Sequence, residues 1–206
     1  MNSVRRSGLF FGESVVIYGA GLLGLLTTEF CRLGGARPII VVDIADKRLD
    51  LLPKDKAVIP VNPKQQDVSA VVEKATKGRQ ADLVFEVTGN PDLIPEQAAL
   101  LRKMGRFLLL SSPWGKTLFD FHDLCNSRSV TIIGTHNSSH PAFETNNNPW
   151  TKARDCELFF DLLVDGILDM KPLISHNEPY TKAVELYQML LEDRSQAMGV
   201  ILQWAD

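Results

Sequence analysis

The stretch Ser14-Val15-Val16-Ile17-Tyr18-Gly19-Ala20-Gly21-Leu22-Leu23-Gly24 decides how the rest of the chain is read. A β-branched apolar run ends in glycines spaced G-x-G-x-x-G, and the residues from Leu25 onward have helical spacing, so the glycines fall at a strand-to-helix turn. Each glycine then has its own task. Gly19 permits the tight turn, Gly21 lets the backbone approach a pyrophosphate, and Gly24 lets the helix pack closely on the strand. The helix N-terminus adds unpaired N–H groups and the positive end of its dipole. A second apolar run, Ile39–Val42, ends in Asp43, nineteen residues beyond Gly24, where a carboxylate meets an adenosine ribose. Strand, turn, helix, strand and acid in this register predict a dinucleotide site rather than a turn that merely packs.

Working outward, the strand-helix alternation continues. Residues 2–7 read as the last turns of a helix stopped at Gly8, which carries the expectation that something precedes them. Strand one covers about 14–19. The following helix, about 22–33, repeats apolar residues at Leu22, Leu25, Leu26, Phe30 and Leu33 and ends at Gly34-Gly35. After strand two (39–42), a short helix from Ala45 to Leu52 is stopped by Pro53. Ala57-Val58-Ile59 is a short third strand, and 68–76 a helix with Val68, Val71, Val72 and Ala75 inward. Residues 81–87 form a fourth strand ending at Thr88-Gly89-Asn90, Pro91 to Lys103 a helix, and Phe107–Leu110 a strand apolar enough to be buried on both faces. A polar segment with Asp120, His122 and Asp123 leads to a sixth strand, Val130–Gly134. This predicts an α/β fold, a doubly wound parallel sheet of order 3-2-1-4-5-6. Beyond it come a loop to Trp150, an amphipathic helix over 151–166 with Leu158, Phe159, Leu162 and Leu163 inward, the segment 168–176, a helix around 182–192 and a closing strand, Val200–Leu202.

Composition sets the limits. With 22 basic against 25 acidic residues in 206, there is neither a basic stripe for nucleic acid nor a polybasic membrane patch. Cys31, Cys125 and Cys156 are isolated and odd in number, which points to thiols of a reducing compartment rather than a disulfide framework or zinc site. No apolar run reaches membrane-spanning length, and Met1–Arg6 leads into no apolar signal core. A cytoplasmic location is expected.

Taken together, V-R-R-S-G-L before G-E-S-V-V-I-Y-G-A-G-L-L-G, then D-I-A-D-K-R-L-D-L-L, D-L-V-F-E-V-T-G-N, G-R-F-L-L-L-S-S, I-I-G-T and the tail from K-P-L-I-S-H to E-D-R-S-Q-A-M-G-V-I-L resemble the cofactor-binding half of the medium-chain dehydrogenase/reductase family. These are the zinc-type alcohol, polyol and threonine dehydrogenases, and the resemblance covers nearly the whole chain. It implies a Rossmann domain over 8–166, and over 167–206 a tail that in the family rejoins the catalytic domain. It implies hydride transfer between a nicotinamide cofactor and an alcohol or carbonyl carbon. Gly19, Gly21, Leu22, Leu23 and Gly24 would lie at the pyrophosphate, Asp43 and its neighbour Ile44 at the adenosine ribose, and Arg48 beside them. Thr88-Gly89, Ser111-Ser112 and Gly134-Thr135 stand at the carboxyl ends of strands four, five and six, the ligand edge of such a sheet. Asp43 favours NAD over NADP, since a carboxylate repels a 2′-phosphate.

The family's upstream domain, with its catalytic zinc ligands, has no counterpart in these residues, and no Cys/His cluster of metal-ligand spacing occurs. Three readings follow: an NAD(H)-binding domain incomplete for catalysis, an oxidoreductase completed by a zinc-bearing chain, or a non-enzymatic NAD(H)-sensing module. His136 and His140 stand near where a nicotinamide would sit, where ligand contact or proton relay competes with plain solvation. His122 pairs with Asp123 or does nothing more, and Glu86 is either a buried acid or faces a helix end. Ser111-Ser112, with no nucleophile elbow around them, are expected to bond the cofactor. Phe10, Phe11, Leu168, Leu173 and Ile174 are the apolar residues expected at an uncovered surface, and the partner expected there is a second copy or a complementary catalytic chain.

Overall fold

The computed structural model of the protein describes residues 1–204. The chain divides into a unit of Met1–Leu158 and a second one that begins at Phe159.

The first unit holds six parallel strands in the order β3-β2-β1-β4-β5-β6: β1 Val15–Tyr18, β2 Ile39–Val42, β3 Val58–Val61, β4 Ala81–Glu86, β5 Leu101–Leu109 and β6 Thr131–Gly134. This is the doubly wound sheet the alternation predicts. Its central strands read as unbroken apolar runs because both faces are covered. Val16, Ile40, Val84 and Phe107 lie on one face and Val15, Ile17, Ile39, Val41, Leu83, Phe85 and Leu108 complete the sheet interior, all at most 1% exposed. Each such side chain contributes about 1.5–3 kcal/mol relative to exposure.

The helix after β1, α2 (Leu22–Leu33; α1 is Asn2–Arg6), turns a different stripe inward from the one its leucines mark. Gly24, Leu25, Thr27, Thr28 and Cys31 are buried, whereas Leu22 is 42% and Leu33 40% exposed. The threonines tolerate this because their hydroxyls bond within the helix. Thr27 Oγ1 donates to the Leu23 carbonyl at 2.7 Å and Thr28 Oγ1 to that of Gly24 at 2.8 Å, leaving methyl groups for the sheet.

Three other expectations shift. The helix from Ala45 shortens to α3, Asp46–Leu49. Strand β3 continues through Pro60 to Val61, which an edge strand allows because one side of its backbone needs no partner. The helix expected from Pro91 to Lys103 becomes a 3-10 turn, Pro91–Leu93, followed by α5, Ile94–Ala99 (α4 is Val68–Thr76). It stops there because Leu100 and Leu101 are buried and Leu101 already pairs with Ala81. The strand then bulges, with Met104 at φ 58° and Arg102 paired to Asp82, before it resumes at Arg106 opposite Leu83. Helix α4 behaves as its spacing predicts: Val72 is buried and Val68, Val71 and Ala75 pack on the same core, capped by Asp67, which accepts from the Ser69 and Ala70 N–H groups.

After β6 comes the loop with a 3-10 turn at Asn137–Ser139, then α6, Lys152–Val164. In the second unit a 3-10 turn (Lys171–Leu173) leads to β7, Ile174–Pro179, which pairs in parallel with β8, Gly199–Gln203, and α7, Ala183–Glu192, connects them. Of the five residues expected at an uncovered surface, Phe10 (71%), Phe11 (91%) and Ile174 (42%) are exposed, but Leu168 and Leu173 are buried. Leu168 is folded back by its N–H bond to the Leu162 carbonyl, and the backbone of Leu173 sits against Gly199, where a Cβ would lie 2.7 Å from its carbonyl oxygen.

Candidate functional site

One row of the sheet locates the site. Tyr18 is level with Val42 and Glu86, Val42 with Val61, Glu86 with Leu109, and Leu109 with Gly134. Just past this row the strands end in Asn62, Asp43, Gly19, Val87-Thr88, Leu110-Ser111 and Thr135. From β1 the strands proceed outward one way to β3, and from β4 the other way to β6, so the loops part between β1 and β4. That parting is where an open α/β sheet forms its ligand crevice.

The glycine turn crosses this point. Gly19 adopts φ +103°, and a Cβ there would press on the Val87 carbonyl at 3.2 Å. A Cβ on Gly24 would lie 1.8 Å from the Gly19 carbonyl oxygen, so the helix can approach the turn only with glycine. Gly21 differs: a Cβ would meet nothing within 4 Å, which leaves its backbone facing open space. Gly21 is also the N-cap of α2 and makes no side-chain cap bond, and the following Leu22 and Leu23 are 42% and 54% exposed. Open backbone and unsatisfied first-turn N–H groups are what a pyrophosphate needs, so the turn fits a dinucleotide.

Asp43 is buried beside it. Its Oδ2 accepts from the Ala20 N–H at 2.8 Å, its Oδ1 from the Ala45 N–H at 2.9 Å, and Arg48 Nη1 lies 3.8 Å from Oδ2. Ile44 is 61% exposed next to it. The extension of β3 brings in a residue the sequence reading lacked: Asn62 is buried, and its amide donates to Asp46 Oδ1 at 2.7 Å, fixing the start of α3.

Across the crevice, Glu86 is fully buried on β4. Its Oε1 accepts from the Thr88 hydroxyl, the Thr88 N–H at 2.7 Å and the Gly89 N–H at 3.0 Å, while Oε2 accepts from the Ser111 hydroxyl. Of the two alternatives open in the sequence, Glu86 is the buried acid, and an acid that directly follows the apolar run Leu83-Val84-Phe85, three residues before a glycine, is the signal. The expected direct role of Ser111 changes accordingly, since its hydroxyl donates to Glu86. Ser112 is exposed beside it. Thr135 is buried, with its hydroxyl on the Leu109 carbonyl at 3.3 Å, and the Gly134 carbonyl accepts from Arg6.

The histidines stay outside this constellation. His140 is held between Asp155 (3.3 Å from Nε2) and the Asn137 carbonyl, and His136 bonds Ser138 locally. Asp155 also binds Arg5 at 2.9 Å, and the Arg5 guanidinium lies over the Trp150 ring. His122 is exposed, and its hydrogen bond to Asp123 raises its pKa. Among the described residues no group of three or more His, Cys, Asp or Glu side chains is placed to hold a metal.

The fold and the turn thus define a dinucleotide-type α/β domain. Residues 23–152 match the family described as zinc-binding dehydrogenase, and the chain belongs to it. L-threonine 3-dehydrogenase of Pyrococcus horikoshii is 33% identical over 87% of this chain and 49% of its own length. A putative D-xylulose reductase of Rhizobium meliloti is 28% identical over 94% of this chain and 52% of its own length. The chain spans about half the length of the curated relatives it matches. Among solved structures, the E. coli CFT073 alcohol dehydrogenase rspB, complexed with cofactor NADH, superposes with a TM-score of 0.80 at 18% identity over 98% of this chain and 56% of its own, a likeness of fold.

Proposed function

We propose that the chain is the NAD(H)-binding half of a zinc-type alcohol dehydrogenase-like oxidoreductase, with residues 8–166 as the cofactor domain and 167–206 as a tail toward the catalytic half. The observation that carries this reading is the bond from the Ala20 N–H to Asp43, which sets a carboxylate next to an open glycine turn. Gly19, Gly21, Leu22, Leu23 and Gly24 would hold the pyrophosphate, Asp43, Ile44 and Arg48 the adenosine end, and the Thr88-Gly89, Ser111-Ser112 and Gly134-Thr135 edge the nicotinamide half. Bound nicotinamide would supply a hydride donor or acceptor. The chain's own residues orient it and limit its exposure to water. Asp43 supports NAD over NADP through repulsion of a 2′-phosphate. Three unpaired cysteines accord with a reducing, cytoplasmic setting, and among the described residues no helix is long and apolar enough to cross a membrane.

Turnover of an alcohol would require zinc ligands from outside this sequence. The exposed Phe10 and Phe11 fit contact with such a catalytic chain or with a second copy. Fluorescence titration with NADH and NADPH tests the cofactor reading: NADH should bind, NADPH more weakly, and both Gly21→Val and Asp43→Ala should weaken NADH at least tenfold. A wild-type chain that binds neither nucleotide, or variants that bind like wild type, would overturn it.

A further inference from the structure

We infer that Glu86 is a positioning residue that shapes the nicotinamide side of the crevice, an inference that rests on the NAD(H) reading above. The carboxylate is completely buried, and its hydrogen-bond partners are neutral donors on two different strand ends: the Thr88-Gly89 turn after β4 and Ser111 after β5. Its own backbone extends the same grip, because the Glu86 carbonyl accepts from both the Leu110 and Ser111 N–H groups at 3.1 Å. Gly89 holds φ +77° at this turn, with its Cβ position 3.8 Å from the Ser112 carbonyl oxygen. One buried residue therefore sets the separation of the β4 and β5 loops.

The placement decides which half of a dinucleotide is affected. Asp43, on the β2 side, receives the adenosine end, and the glycine turn between β1 and α2 receives the pyrophosphate. The remaining half must lie on the β4-β5-β6 side, over the turn that Glu86 holds. The charge also matters chemically. With the carboxylate taking the Ser111 and Thr88 hydroxyl protons, those oxygens present lone pairs outward and act toward a ligand as acceptors, as Thr88 Oγ1 already does toward the Asn90 N–H at 3.0 Å. A ribose hydroxyl that donates suits that edge.

Calorimetric titration of the full chain with NADH and with ADP, which lacks both the nicotinamide ring and the ribose that carries it, separates positioning from mere support of the fold. In Glu86→Gln the side chain keeps its size and one accepting oxygen, but its NH2 group cannot accept from Ser111. NADH affinity should fall about tenfold while ADP affinity stays within about twofold. Ser111→Ala should lower NADH affinity about threefold alone and add little on top of Glu86→Gln. If Glu86→Gln does not fold, the Ser111→Ala comparison carries the same test. Equal losses for both ligands, no loss of either, or strictly additive effects would overturn the inference while leaving the NAD(H) reading in place. A wild-type chain that binds neither ligand would overturn both.

Discussion

The Asp43 carboxylate accepts the Ala20 N–H at 2.8 Å, so the acid that closes β2 is tied directly to the middle of the turn that closes β1. A second bond, from the Ala45 N–H, fixes its other oxygen. The carboxylate thus organises the turn as well as facing it, and its loss has two effects. Asp43→Ala should destabilise the fold by roughly 2–4 kcal/mol, through two lost hydrogen bonds to a buried charge. Asp43→Asn should cost less stability yet narrow the preference for NADH over NADPH. Denaturant unfolding and paired nucleotide titrations check both, and an unchanged nucleotide ratio in Asp43→Asn would refute the charge argument.

Gly24→Ala should be among the most damaging one-carbon changes in the chain. The added methyl would lie 1.8 Å from the Gly19 carbonyl oxygen, a backbone atom that cannot swing aside. Overpacking of this kind costs about 1–3 kcal/mol or more, and it would move the turn itself. Gly21→Ala, by contrast, meets open space, so its stability should stay within about 0.5 kcal/mol of wild type. Thermal unfolding of the pair should therefore separate them clearly. Similar losses for the two would contradict the geometry.

At the opposite end of the sheet, Asp82 joins three strands. It accepts from the Ser14 N–H and hydroxyl, each at 2.8 Å, and pairs with Arg102. Burial pushes its carboxyl up, but Arg102 and the Ser14 bonds outweigh that and hold it below the usual carboxylate range. A lowered folded pKa contributes stability that is complete above the unfolded value of about 3.9 and is lost as pH falls toward the folded one. The melting temperature of wild type should therefore drop more steeply below about pH 4 than that of Asp82→Asn. At pH 7 the variant should be less stable by roughly 1–2 kcal/mol. Parallel pH curves would remove the ion pair from the account.

Two of the three thiols should react in a fixed order. Cys31 is wholly buried, and burial pushes its pKa up to about 12, whereas Cys156 is exposed on α6. A thiol reagent at pH 8 should label Cys156 in the native protein and Cys31 only after unfolding. Mass mapping of the labelled peptides reads this out, and native labelling of Cys31 would show that α2 does not stay packed on the sheet.

The linear order of residues settled the architecture on its own. Apolar runs bounded by glycine and proline mark strands, three glycines at set spacing mark the first turn, and Asp43 falls nineteen residues beyond Gly24; all are local patterns that need no knowledge of neighbours in space. What needed the folded chain was every choice made by distant partners. The inward stripe of α2 runs through Thr27 and Thr28 because helix carbonyls satisfy their hydroxyls, which a hydrophobicity pattern cannot register. The helix after Pro91 ends early because Leu101 finds Ala81, and β3 runs on to Val61 because β2 pairs with it that far. Ser111 turns to Glu86, twenty-five residues away in the chain, because the two strands that carry them lie side by side. Periodicity reports what a segment can bury, whereas only packing determines which polar atoms then find one another.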